Sequence, residues 1–300
     1  MSHPVEVLVQ AVERKRRHAL RDFFVRLARE KPLGVLGGII ILGLLIVGIF
    51  SNVIAPAELD EINIIDRFAP ASAKHLLGAD QVGRDILSRL IYGARISMIV
   101  GLAGTSVTIV VASIIGVPSG YLGGKFDILI QRFVDAWLSF PSLLILLTVM
   151  SIVGQGMLQI ISVLGIMSGI YSSRIIRGAV IGIKDNDYFL AAKAIGSPPV
   201  GTVIRHIVPN ITAPMIIIFS INMGAIILDE ASLSFLGFGL PVEIPSWGGM
   251  LSSEGRRFME IKPELALYPG LCLAVVIFGV NMFGDAVRDL LDPRLRGGER

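Results

Sequence analysis

The stretch DYFLAAKAIGSPPVGTVIRHIVPN, Asp187 to Asn210, sits between two long apolar runs and decides how the chain is read. Leu190, Ala191, Ala194 and Ile195 recur at helical spacing, and so do Val200, Val203, Ile204 and Ile207. Gly196, Ser197, Pro198 and Pro199 separate the two sets. Glycine closes a helix by taking the left-handed conformation. Serine is a favoured N-cap, and proline suits the first helical position. The pattern predicts a helix, a tight turn and a second helix, with small residues at the tip. Two readings of this knuckle stand on these residues alone. It is a docking element for a cleft in a partner protein, or it is a plain connection whose amphipathic helix rests on lipid headgroups.

The flanking runs place the knuckle. Of 300 residues, 53% are hydrophobic and only 17% are charged. Mean hydropathy is +0.73. A soluble domain carries about a quarter charged residues. A helix crossing the roughly 30 Å hydrocarbon core of a bilayer needs about 20 apolar residues. Six stretches meet that need: Leu33–Ala55, Ile96–Val117, Ile128–Val153, Ile160–Ile183, Ile211–Leu228 and Tyr268–Leu290. The fold class expected is therefore all-α, a polytopic membrane protein with six transmembrane helices. The third span carries Arg132 and Asp135 near its start and Pro141 within it, so an amphipathic approach and a kink at the proline are expected. Gly101, Gly104, Gly165, Gly169, Gly279 and Gly284 lie inside spans, where small residues let membrane helices approach closely.

Orientation follows from the basic residues. They gather in the N-terminal tail (Arg14 to Lys31), around the knuckle (Arg174, Arg177, Lys184, Lys193, Arg205) and at the C-terminus (Arg288, Arg294, Arg296, Arg300). With six spans all three groups fall on one side, which the positive-inside rule makes cytoplasmic. The N-terminal residues ERKRRHALRDFFVRLAREK lack the apolar core of a cleaved leader, so both termini are expected in the cytoplasm. The organisation expected is a tail over 1–32, a first transmembrane helix over 33–55, an extracytoplasmic loop over 56–92 and a five-helix core over 93–290. Within that core lie the cytoplasmic loop 184–209 and an outward loop 230–267, and a tail follows over 291–300. Basic residues flanking membrane spans account for the net charge of +3, so no nucleic-acid partner is expected. Cys272 is the single cysteine, which excludes an internal disulfide or a cysteine metal cluster.

Polar residues inside or beside the spans are candidates for a pathway or for interhelical bonds. Asn222 and Asn281 are interior and suit either role. Asp229 and Glu230 close the fifth span as read here, and their place at its edge favours an interfacial pair capping a helix end over a proton or substrate site. Asp135 and Arg132 are spaced to pair with each other. Pro241–Trp247 reads as a stiff outward surface, with Trp247 either an interfacial anchor or part of a docking face. His3, His18, His75 and His206 share no nucleophile motif with a serine, so hydrolytic chemistry is not expected.

Ala191-Ala192, then Gly196, then Pro209 thirteen residues further on, resemble the signature cytoplasmic loop of ABC importer permeases. Leu190 stands where glutamate is usual, and Val208 where leucine is usual. HLLGADQVGRDILSRLIYGARISMIVGL (His75–Leu102), ASLSFLGFGLPVEIPSWGGML (Ala231–Leu251) and NMFGDAVRDLLDPRLR (Asn281–Arg296) resemble the peptide and nickel branch of that family, in its C-type permease. Together these matches cover residues 75 to 296. The resemblance implies a type I importer permease in the inner membrane of a prokaryote. Its partners would be a second, homologous permease, two ABC ATPase subunits and an extracytoplasmic binding protein. It also implies an ATPase-docking role for Ala191, Ala192, Lys193, Ala194, Gly196, Ser197, Pro198, Pro199, Arg205 and Pro209. Cargo in the branch includes di- and oligopeptides, nickel, glutathione and oligosaccharides.

Such an importer needs ATP, and the nearest candidate phosphate loop here is GYLGGKF, Gly120 to Phe126. A phosphate loop runs glycine, four residues, Gly-Lys, then Ser or Thr. Serine at 119 and phenylalanine at 126 break both ends. No cofactor is therefore expected on this chain, ATP and Mg2+ belonging to the partner ATPases. An ion-coupled transporter is the rival class, which would want ionisable groups at mid-membrane.

Overall fold

A computed structural model describes residues 22–59, 61–194 and 196–291. Eight main helices follow one another: α1 Pro32–Ile49, α2 Ile86–Leu122, α3 Gly124–Leu138, α4 Ser142–Val153, α5 Met157–Lys184, α6 Asp187–Ala194, α7 Thr212–Phe235 and α8 Glu264–Leu291. Among the described residues there is no sheet, only an isolated bridge between Ala79 and Asp85. α1, α2, α5, α8 and α7 with the turns leading into it are each long and apolar enough to cross a membrane. α3 and α4, bent by 90° at their junction, make a sixth span if taken together. The elbow falls at Pro141, as its lack of an N–H requires. α4 alone, at 12 residues, reaches only about 18 Å.

Close helix contact in an apolar medium comes from small residues, and here glycines supply it. A side chain on Gly165 would begin 2.5 Å from Val107 Cβ and 2.8 Å from the Gly104 carbonyl, so α5 lies almost backbone to backbone on α2. Gly169 against Val111 repeats the contact one turn on. Gly37 brings α1 onto α8 in the same way, against the Gly279 carbonyl. Residues 22–31 continue this packing: Leu27 is buried against Ala286 and Leu290, and Lys31 pairs with Asp289 at 2.5 Å. The tails read as basic at Arg14–Arg17 and Arg294–Arg300 lie outside the described residues.

Three helix boundaries differ from the sequence expectation. α2 starts at Ile86, ten residues before the apolar run, inside the expected loop 56–92. Arg89 and Arg95 make that turn look polar, yet Asp85 caps it by accepting from the Ser88 N–H at 2.8 Å. α7 does not end at Leu228 but continues to Phe235, so Asp229 and Glu230 lie within a helix rather than at its edge. α8 begins at Glu264, within the stretch read as the outward loop.

The segments 55–85 and 236–263 form a polar crown at the end of the bundle opposite the knuckle. Asp80, fully buried, accepts from the Val82 and Arg84 N–H groups at 2.9 Å and from Arg84 Nε at 2.7 Å. His75 lies between Asp85 at 3.0 Å and Asp66 at 3.4 Å. Lys262 ties the two segments together by donating to the Ala69 and Ala79 carbonyls. Trp247 is part of this joint and not an outward surface. It is 3% exposed, lies over Gly93, and donates from Nε1 to the Leu90 carbonyl at 3.0 Å.

One crown contact carries a pH dependence. Hydrogen bonding to Lys74, and after it to His75, holds the Asp66 carboxyl below its ordinary value of 3.8. The fold favours the ionised form, so this contribution is present above pH 3.8 and is lost as the pH falls below it. Amide exchange over residues 63–75, corrected for its intrinsic pH dependence, should accelerate through that acid range. In Asp66→Asn the acid step should be missing, and an equal step in the variant would contradict the assignment.

Candidate functional site

The knuckle is fastened to the bundle before it turns outward. α5 stops at Lys184, whose Nζ crosses to the end of α2 and donates to the Tyr121 carbonyl at 2.8 Å and to that of Gly120 at 3.2 Å. These are carbonyls that the last turn of a helix leaves without partners. α6 turns Phe189 inward, where it is 4% exposed and meets the Tyr121 ring edge-on. Gly196 follows at φ +75°, a conformation that costs a residue bearing a Cβ about 1–2 kcal/mol. The predicted helix, turn and helix are thus present, and Ile207 and Ile211, both fully buried, anchor the return limb.

The return limb departs from the expected pattern. Pro199–Thr202 is ordinary helix, Val203–Ile207 widens to a π-helical turn, and Val208–Ile211 tightens to a 3-10 turn. Pro209 explains the change, since it has no N–H to donate and its ring crowds the carbonyl four residues back. Val200, Val203, Ile204 and Ile207 therefore do not share one buried face. Val200 and Ile204 are 70% and 61% exposed. Around them Ala191, Ala194, Gly196, Pro198, Pro199, Arg205 and Pro209 are exposed and Ser197 is half-buried. All of Ile195, and the side chains of Leu190, Ala192 and Lys193, lie outside the described residues. The described surface is small, stiff and partly apolar, a shape suited to entering a groove.

The interior polar residues do not form one group. Asp229 and Glu230, read as an interfacial pair, are separated by the 100° that successive helical residues turn through. Glu230 faces inward, fully buried, and accepts from Ser234 Oγ at 2.7 Å. Asp229 instead lines a cavity of about 190 Å3 with Asn222, Ser142, Ser168 and Tyr171. Asn222 bonds within and between helices, to the Ile218 carbonyl at 2.9 Å and to Ser172 Oγ at 3.4 Å. Asn281 lies elsewhere, exposed on α8, with its Oδ1 against Gly224. Sequence reading missed Ser142, Ser168 and Tyr171. They come from α4 and α5, and no local motif joins them to α7.

The elbow is pinned by two cross-helix ion pairs. Arg177 grips Asp127 through two bonds, at 2.6 and 2.5 Å, and Ser119 Oγ adds a third at 2.5 Å. Asp135 takes Arg174 from α5 as its close partner, while Arg132, the partner expected from spacing, stands 3.9 Å away.

The profile of the binding-protein-dependent transport system inner membrane component family matches residues 112–297. The chain belongs to this family. As a member of the binding-protein-dependent transport family it is a transport component and not an enzyme in its own right, and the match runs from α2 through the knuckle into the C-terminal tail. It is similar over most of its length to curated members. A dipeptide transport system permease protein of Alkalihalophilus pseudofirmus is 35% identical over 276 residues, covering 92% of this chain and 90% of the relative. A glutathione transport system permease protein of Pectobacterium atrosepticum is 34% identical, covering 92% and 91%. An oligopeptide transport system permease protein of Bacillus subtilis is 32% identical, covering 96% and 93%.

Proposed function

We propose that this permease is one membrane subunit of an ATP-driven importer for di- and oligopeptides, which an extracytoplasmic binding protein delivers. It pairs with a second, homologous permease and is driven by two ABC ATPase subunits that hold the ATP and Mg2+. The names of its relatives support a peptide or glutathione cargo, both being short chains of amino acids. The positive-inside rule places the knuckle and both termini in the cytoplasm and the crown outside.

The observation that carries the reading is the contrast within residues 184–211. Phe189, Ile207 and Ile211 are buried and Lys184 is bonded to α2, while Ala194, Gly196, Pro198 and Val200 stand exposed on the described surface. A connection resting on lipid needs no such anchoring, whereas a part that transmits force must be rigid at its root. ATPase closure pushes on the tip, and the anchors pass the movement to α2, α5 and α7. The other permease is needed because the pathway runs between the two.

The test is docking. With both Ala194 and Gly196 replaced by arginine, ATPase subunits should no longer co-purify with the permease, since hot-spot losses of 2 kcal/mol or more weaken binding about thirtyfold. ATPases recovered at the wild-type yield would end the reading. Nickel and oligosaccharide remain as cargo to be excluded by uptake assays with the complete importer. The ion-coupled rival is tested by uptake that survives ATP depletion but not collapse of the proton gradient.

A further inference from the structure

The cavity between α4, α5 and α7 has a chemical bias that the coupling role does not use. Five polar side chains reach it: Ser142, Ser168, Tyr171, Asn222 and Asp229. Neither lysine nor arginine lines it, so its one formal charge is the Asp229 carboxylate. Asn222 directs its amide nitrogen to the Ile218 carbonyl and to Ser172 Oγ, which leaves the amide oxygen as its free group. Asp229 spends no oxygen on any side chain or backbone N–H among the described residues, unlike Glu230 beside it. The site is thus a half-buried anion with one free amide oxygen and three hydroxyls that can turn to accept, on walls otherwise formed by Leu146, Leu164 and Met167. Charge and hydrogen bonding both ask for a donor-rich cation.

Size narrows the choice. About 190 Å3 lies below the roughly 300–1,000 Å3 of pockets that enclose a whole small molecule. An oligopeptide does not fit whole, but one end of it does. The cavity is partly open, so the rest of such a molecule would project from it.

We infer that this cavity is a transit subsite for a protonated primary amine, namely the N-terminal ammonium of the peptide being carried, with Asp229 as its counter-charge. The inference rests on the peptide reading above. The ammonium donates to the Asp229 carboxylate, while Ser142, Ser168, Tyr171 and Asn222 supply the polar part of the wall around it. No carboxylate of the cargo is held here, because nothing basic faces the cavity. Asp229 therefore sets a preference for cargo with a free N-terminus, independently of what the binding protein selects.

The test has two arms. In the first, Ser168→Cys is placed in a Cys272→Ser background of the complete importer, and its modification by a cationic and by an anionic methanethiosulfonate reagent is timed. The cationic reagent should react faster by about tenfold, and adding Asp229→Asn should bring the ratio close to one. A ratio that Asp229→Asn leaves unchanged overturns the inference. In the second arm, proteoliposomes take up dialanine or N-acetyl-dialanine. Asp229→Asn should cut dialanine uptake about ten- to a hundredfold, as expected for losing a hydrogen bond to a charged group. Dialanine binding to the isolated binding protein should not move. Dialanine uptake at the wild-type rate in Asp229→Asn overturns the ammonium role. If the wild-type importer moves no dialanine while the first arm succeeds, the peptide reading fails and the cation site stands.

Discussion

Leucine at both Gly165 and Gly169 should leave the permease unable to form a monodisperse species in detergent, whereas alanine at Gly178 or Gly182, on the same helix, should be tolerated. The first pair faces Val107, Val111 and the carbonyls of Gly104 and Thr108, with 2.5 to 3.0 Å available where a Cβ would stand. Backbone and branched Cβ atoms cannot move aside as a flexible side-chain end can, so each substitution sits at the upper end of the overpacking range, about 3 kcal/mol. Two such losses consume much of the 5–15 kcal/mol by which a protein is ordinarily stable. Gly178 and Gly182 meet nothing within 4 Å, and alanine there should add roughly 0.5–1 kcal/mol by favouring the helix. Melting followed by size-exclusion chromatography checks both. A double leucine variant that melts with the wild type would mean that α5 does not lie on α2 as described.

Trp247→Ala should lower the melting temperature on the order of 10 °C, from about 3–5 kcal/mol lost with a buried large side chain. The indole fills the joint between the crown and α2 and α8, and its N–H holds the Leu90 carbonyl at 3.0 Å. Trp247→Phe keeps most of the packing and gives up that bond, so it should cost about 1 kcal/mol. If Trp247 faced outward as a lipid anchor or a docking face, neither change would move the melting point, and that result would contradict the burial.

The knuckle was legible because its turn is written in residues with backbone consequences. Gly196 supplies the positive φ, and Pro199 opens the next helix. The elbow at Pro141 was legible for the same reason. What sequence reading missed depends on contacts between distant segments. The start of α2 was read as part of the polar loop 56–92, yet Arg89 there is buried beside Asp80 beneath the crown. Trp247 looked exposed among prolines, because Gly93, which makes room for it, lies more than 150 residues away. Asp229 and Glu230 looked like one feature because they adjoin in sequence. A helix that runs on past them turns the two side chains to different surroundings.

The central claim is that the tip of the knuckle is where a separate ATPase pushes. A photo-activated crosslinker at Ala194, in the importer assembled with its ATPase subunits and turning over ATP, tests it most directly. The predicted result is a covalent adduct to an ATPase subunit. Adducts to lipid alone, while ATP is being hydrolysed, would contradict it.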